Sequence, residues 1–219
     1  MDTTRHHDLK WRLAAVPATM IVVALLVYSI PAWSKWLVYD RSAILNGEVW
    51  RTCSGNWVHF SATHLIYNLI ALGAVSWIAV ERGYRGFASV CLVSAVVIGL
   101  GLFWLERDLH LYGGLSGIAT AAMTFVAAQG LRDQGPWRWV CIVALAGLVG
   151  KVVMESASEE LLFVSVGTTP FKPVPLSHGV GIIAAVVFTA VRRIRNLLQE
   201  PQNGNSNIWS NRRATAGSR

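Results

Sequence analysis

The chain has 219 residues, 53% of them hydrophobic and only 14% charged, with a formal net charge of +7. That balance is too apolar and too charge-poor for an ordinary soluble domain, so a membrane protein is the first expectation. A nucleic-acid binder is disfavoured, because the basic residues form no patch interleaved with aromatic side chains.

Cutting the chain at its charged residues leaves six apolar intervals to set against the ~20 residues that cross a bilayer. Residues 1–12, with Arg5, Lys10 and Arg12, read as a cytoplasmic N-terminal segment. The first span runs from Leu13 to Ser34; its apolar run is too long for a signal peptide and is read as a retained helix. The second lies between Arg51 and Glu81, the third from Gly86 to Leu105, and the fourth between Asp108 and Arg132. The fifth is free of charge only from Trp139 to Gly150, with Lys151 and Glu155 near its end, and the sixth runs from Pro173 to Val191. Residues 13–195 therefore read as one all-α membrane domain of six transmembrane helices, followed over 196–219 by a polar tail expected to be disordered and cytoplasmic. Trp33, Trp36, Trp57, Trp104, Trp137 and Trp139 stand at span edges, where amphipathic rings are favoured. Cys53, Cys91 and Cys141 are scattered and odd in number, which suggests neither a disulfide framework nor a metal site.

Orientation follows from the bias of Lys and Arg. With the N-terminus inside, thirteen of the nineteen basic residues fall on inner segments, while Lys35, Arg41, Arg51, Arg107, Lys151 and Lys172 fall outside. Both termini are therefore expected in the cytoplasm.

Strongly polar residues inside spans are expensive, so each raises a functional question. His59, His64 and Asn68 in the second span, Ser116 in the fourth and His178 in the sixth all lie in the first halves of spans that enter from one side, and so share the outer leaflet. His64 and Asn68, four apart, face one way on a helix, whereas His59 is expected to face elsewhere or to sit in the loop leading in. Ser116 opens an apolar helix after Gly113 and Gly114, where free backbone N–H groups attract developing negative charge. A serine there needs only a nearby base to become a nucleophile, and His178 is the histidine on a late helix entering from the same side. No aspartate lies in the embedded parts of the second, fourth or sixth spans, so the two are expected to act as a dyad without an orienting carboxylate. Taken singly, each has a plainer reading: Ser116 as a small residue at a helix contact, His178 as a structural histidine, His64 and Asn68 as interhelical hydrogen bonds, and Lys151–Glu155 as an i,i+4 ion pair.

Taken together these residues resemble the rhomboid intramembrane proteases. The likeness is carried by Trp50-Arg51 in the first loop, by His59, His64 and Asn68 at a His-x4-His-x3-Asn spacing, by Gly114-Leu115-Ser116-Gly117, and by His178 followed by Gly181 and Ala185. It extends over about residues 13–195. The resemblance implies a six-helix rhomboid bundle and a cofactor-free, metal-free serine endopeptidase. Ser116 and His178 would be catalytic, and His64, Asn68 and the Ser116 N–H would form the oxyanion hole. Transmembrane proteins would be the substrates, cut on the outer side of a bacterial inner membrane. Gly114, Gly117, Gly181, Trp50, Arg51, Lys151 and Glu155 would support the site. Gly150-Lys151-Val152-Val153-Met154-Glu155 and the compact plan are similar to the rhombosortases, a bacterial subgroup thought to process C-terminal GlyGly-CTERM tails of exported proteins. One departure stands out: the position four after Ser116 is Thr120 rather than the tyrosine or histidine of relatives, which leaves the group that orients the His178 ring unassigned. Two competing readings remain. A catalytically silent binder of transmembrane segments would explain Thr120. A small transporter or proton relay would use His64, His178, Lys151 and Glu155, but no inverted repeat supports it.

Overall fold

The computed structural model describes the backbone of residues 3–158 and 174–216. Lys172 and Pro173, used above in the charge bias and as the start of the sixth span, lie outside the described residues, as do the loop from 159 and Arg219. The chain divides into two units, Met1–Val186 and Val187–Arg219, and every residue of the site described below lies in the first.

Six long helices account for the apolar intervals. They are α1 (Thr3–Ser29), α5 (Ala62–Glu81), α6 (Phe87–Leu105), α7 (Ser116–Gly130), α8 (Pro136–Ser158) and α9 (Pro175–Ala216), with three short helices, α2 (Pro31–Leu37), α3 (Arg41–Leu45) and α4 (Arg51–Ser54), between α1 and α5. The boundaries are chemical. Pro31, Pro136 and Pro175 each open a helix, where the missing N–H costs nothing. The Ser61 side chain caps α5 by accepting the backbone N–H of His64 at 3.2 Å.

Four of these helices, over Ala62–Glu81, Phe87–Leu105, Pro136–Ala157 and Pro175–Gln199, are long and apolar enough to cross a membrane; Leu13–Ser29 with Pro31–Leu37 makes a fifth candidate, bent by 112°. The fourth expected span, α7, differs for a physical reason. Its 15 residues extend about 22 Å at ~1.5 Å per residue, short of a ~30 Å hydrocarbon core, so a chain that fills the span must reach its first residue through non-helical backbone buried in protein. Eleven of its residues are buried, which makes it the axis of the bundle, packed by α5, α6 and α8, while α1 packs on α5 and α6.

The non-helical approach to α7 is pinned on three sides. The two-residue strand β2 (Leu111–Tyr112) pairs antiparallel with β1 (Tyr39–Asp40), matching Tyr39 with Tyr112. The Tyr112 hydroxyl donates to the Gly114 carbonyl at 3.1 Å, and the Gly114 N–H donates to the Gly55 carbonyl at 3.3 Å. Arg51 anchors the opposite wall: buried, it donates from Nε to Glu48 at 2.6 Å and to the carbonyls of Lys35 and Val38 at 3.0 Å each, while the neighbouring Trp50 ring packs at 5.3 Å on Trp36. Arg51 thus shapes the loop between α2 and α4.

The backbone of α9 continues as helix to Ala216, over residues 196–216 of the tail for which the sequence suggests disorder. Extending a formed helix needs no new nucleus, which is why a polar continuation can remain helical.

Candidate active site

The site is built where α7 begins. Gly114 takes a φ of 139°, open in practice only to glycine, and a side chain there would strike the His64 ring, its Cβ falling 2.7 Å from Cε1 and 3.1 Å from Nε2. The same point lies 3.7 Å from Ser116 Oγ. Gly114 is therefore the gap across which His64 on α5 and Ser116 on α7 face one another.

Two more glycines bring in α9. A Cβ on Gly117 would come within 3.0 Å of the Ser177 carbonyl oxygen, and one on Gly181 within 2.5 Å of the Gly117 carbonyl oxygen. The backbones of α7 and α9 thus cross in direct contact, as small residues permit between membrane helices, and each contact abuts a residue of interest: Gly117 follows Ser116, and Ser177 precedes His178. His178 is 2% exposed. Its Nδ1 lies 2.8 Å from Glu155 Oε2 and 3.1 Å from Lys151 Nζ, and that Lys151 ammonium donates to Glu155 Oε1 at 2.6 Å. With Nδ1 so engaged, Nε2 is the ring nitrogen that does not face the Lys151–Glu155 pair.

His59 joins the cluster from a position that ideal helical spacing would turn away. Because Ser61 is the cap, His59 precedes α5 and lies in the extended lead-in, the second of the two placements the sequence allows. It is buried, with its ring 5.1 Å from that of His64. A single tautomer satisfies all its contacts: Nδ1–H donates to the Trp57 carbonyl at 3.2 Å, while Nε2 accepts from Asn68 Nδ2 at 3.0 Å and from the Leu115 N–H at 3.3 Å. His59 therefore ties α5 to the residue immediately before Ser116. Asn68 spends one amide N–H on this bond and keeps the other. His64 is buried beside them and lies within electrostatic range of His178 and Lys151.

Thr120 is accounted for. Its hydroxyl donates to the Ser116 carbonyl at 2.8 Å, and Thr124 repeats the bond to Thr120, so this face of α7 is bonded along its own helix. The expected support residues divide accordingly. Gly114, Gly117 and Gly181 set the approach of backbones, Lys151 and Glu155 reach His178, and Trp50 and Arg51 organise the loop. The Lys151–Glu155 pair forms as its spacing suggests, but Glu155 is fully buried rather than at an interface.

A cavity of about 410 Å³ opens beside this cluster, with Glu155, Val152, Glu106, Asp108 and Pro175 in its wall. At the start of α7 the first backbone N–H groups have no helical partner, so donors converge next to Ser116. A serine hydroxyl, buried imidazoles and unpaired N–H donors are groups that acyl transfer can use.

Residues 46–193 match the rhomboid domain family. Among similar proteins are the "Rhomboid protease GlpG" of Salmonella newport (strain SL254), 31% identical over 137 residues, and that of Salmonella choleraesuis (strain SC-B67), 27% identical over 128 residues. These alignments cover 56% and 55% of this chain, and 47% and 44% of the relatives. The chain thus spans about half the length of the relatives it matches.

Proposed function

Since this multi-span membrane protein belongs to the rhomboid family of intramembrane serine proteases, we propose that the chain is itself an intramembrane serine endopeptidase, with Ser116 as nucleophile and His178 as general base. The observation that supports the reading is the α7–α9 crossing, where Gly117 lies on Ser177 and Gly181 on Gly117, so that the neighbours of Ser116 and His178 are in contact.

In this reading Ser116 Oγ attacks the scissile carbonyl as its proton passes to His178 Nε2. The oxyanion is held by the Ser116 N–H, His64 and the remaining amide N–H of Asn68. The C–N bond then breaks as Nε2 returns the proton to the leaving amine, and water repeats the sequence on the acyl-enzyme. Rigid donors in a site sheltered from water need no reorganisation, and each is worth roughly 2.7–4 kcal/mol where such donors have been removed.

The substrates are membrane-anchored proteins cut near their transmembrane segment, most specifically the C-terminal GlyGly-CTERM tails handled by rhombosortases, a reading supported by the Gly150-Lys151-x3-Glu155 stretch of α8. The Lys/Arg bias supports cytoplasmic termini and a site open to the outer side, and the Salmonella relatives support a bacterial inner membrane. The test is mass spectrometry of the C-terminus of a GlyGly-CTERM reporter co-expressed with the wild-type chain or with Ser116→Ala. A new C-terminus before the tail with the wild type alone supports the assignment. Processing that survives Ser116→Ala removes Ser116 as nucleophile. Cleavage of other transmembrane reporters but not of this one leaves a general rhomboid protease, and no cleavage of any leaves a silent binder.

A further inference from the structure

We propose that Glu155 is the positioning residue of this site: its carboxylate takes the Nδ1–H of His178, fixes the tautomer that leaves Nε2 bare for Ser116, and stabilises the imidazolium formed on proton transfer. The inference rests on the protease reading above and adds a third member to what the sequence suggests is a dyad.

The first argument is burial. Along α8 most described side chains are exposed, as a helix facing lipid should be, and the buried ones are Cys141 and Glu155. An ionised carboxylate is among the costliest groups to remove from solvent, and it persists there only with close partners. An i,i+4 bond to Lys151 forms equally well on a helix surface, so it does not explain 0% exposure. A partner on another helix does, and His178 of α9 is that partner.

The second argument is proton placement. Glu155 can only accept and the Lys151 ammonium can only donate. A bare Nδ1 would set its lone pair against Oε2 at 2.8 Å, whereas a protonated one makes a charge-assisted hydrogen bond at that distance. Lys151 already gives one proton to Oε1 and can turn its others aside, so its 3.1 Å contact with Nδ1 does not require the opposite tautomer. Lys151 also compensates the carboxylate through Oε1, so that the ionised group is tolerated in its buried place while Oε2 stays directed at His178. The third argument is elimination of the alternative: the Thr120 hydroxyl is committed to the Ser116 carbonyl and does not hold the ring.

During turnover the proton of Ser116 Oγ moves to Nε2 as the Oγ–C bond forms. It then leaves with the amine as the C–N bond breaks, and Glu155 stays ionised throughout.

The test uses the full-length chain in detergent or proteoliposomes, assaying cleavage of a transmembrane reporter, fluorophosphonate labelling and thermal unfolding. Glu155→Gln should lower kcat by on the order of 10²–10⁴-fold with KM little changed, and Glu155→Asp should recover part of the loss. Because Gln leaves the Lys151 charge buried without its partner, the double variant Glu155→Gln with Lys151→Met is included; it should restore the unfolding temperature but not kcat. Activity that returns with stability in the double variant overturns the proposal, as does an active wild type whose Glu155→Gln variant is equally fast. A well-folded wild type that neither cleaves nor labels overturns the protease reading instead, and the positioning role with it.

Discussion

The bundle carries two carboxylate clusters that look alike in outline and differ in surroundings. At one end, Asp133 accepts from Arg82 at 3.0 Å and from the Tyr84 hydroxyl at 2.7 Å, the Trp137 indole donates to that hydroxyl at 3.1 Å, and the Arg82 guanidinium lies over the Trp137 ring at 4.3 Å. At the other, Glu155 accepts from Lys151 and contacts His178. The Asp133 side chain keeps 32% of its surface exposed, while that of Glu155 keeps none. The first cluster clamps the α5–α6 loop to the start of α8 through partners that stay partly exposed. The second holds His178, on the helix whose backbone crosses the start of α7. A carboxylate with basic and aromatic neighbours is therefore not a functional signature by itself; what sets the second apart is complete burial against a histidine of another helix.

That contrast can be broken at either end. The largest effect is expected from Ser116→Ala, which should reduce reporter cleavage by on the order of 10⁴-fold or more while membrane insertion and unfolding temperature stay put, measured side by side in one preparation. Gly181→Val comes next. Its side chain would enter the Gly117 backbone, so unfolding in detergent should show a loss of about 1–3 kcal/mol, and cleavage per folded molecule should fall as α9 is pushed from α7. At the other cluster, Asp133→Asn should cost about 1 kcal/mol or less and leave cleavage per folded molecule unchanged. An activity loss there matching that of the site variants would erase the distinction.

The smallest effect is a titration. Burial, and then the hydrogen bond to Asp133, push the Tyr84 hydroxyl up from its ordinary 10.0 to about 12. A raised phenol binds its proton more tightly folded than unfolded, so its contribution is complete below pH 10.0 and is lost as pH climbs toward about 12. Tyr84→Phe should flatten that alkaline decline in unfolding temperature, and an identical decline in the variant would deny Tyr84 the role.

Much of this was legible in the sequence because membrane solvent is a strict reader. Charges bracket the long helices, and Ser116, His178, His64 and Asn68 stand out because polar groups are rare in such segments. What escaped needs the third dimension. Helical spacing alone leaves His59 two placements, and Ser61 as the cap of α5, a signal present in the sequence, decides for the loop leading in. Glu155 is one turn from Lys151, so local pairing explains it sufficiently until α9 is seen to bring His178 against it. The shortness of α7 is likewise invisible in an apolar interval that runs on past its helical part; only the glycine-dependent contacts before Ser116 stop the helix there.

The most direct measurement is the site of covalent modification by a fluorophosphonate in the purified, folded protein, read by peptide mass spectrometry. The account predicts one adduct, on Ser116, lost in His178→Ala at unchanged unfolding temperature. A folded protein that takes no adduct, or takes it on another serine, would contradict it.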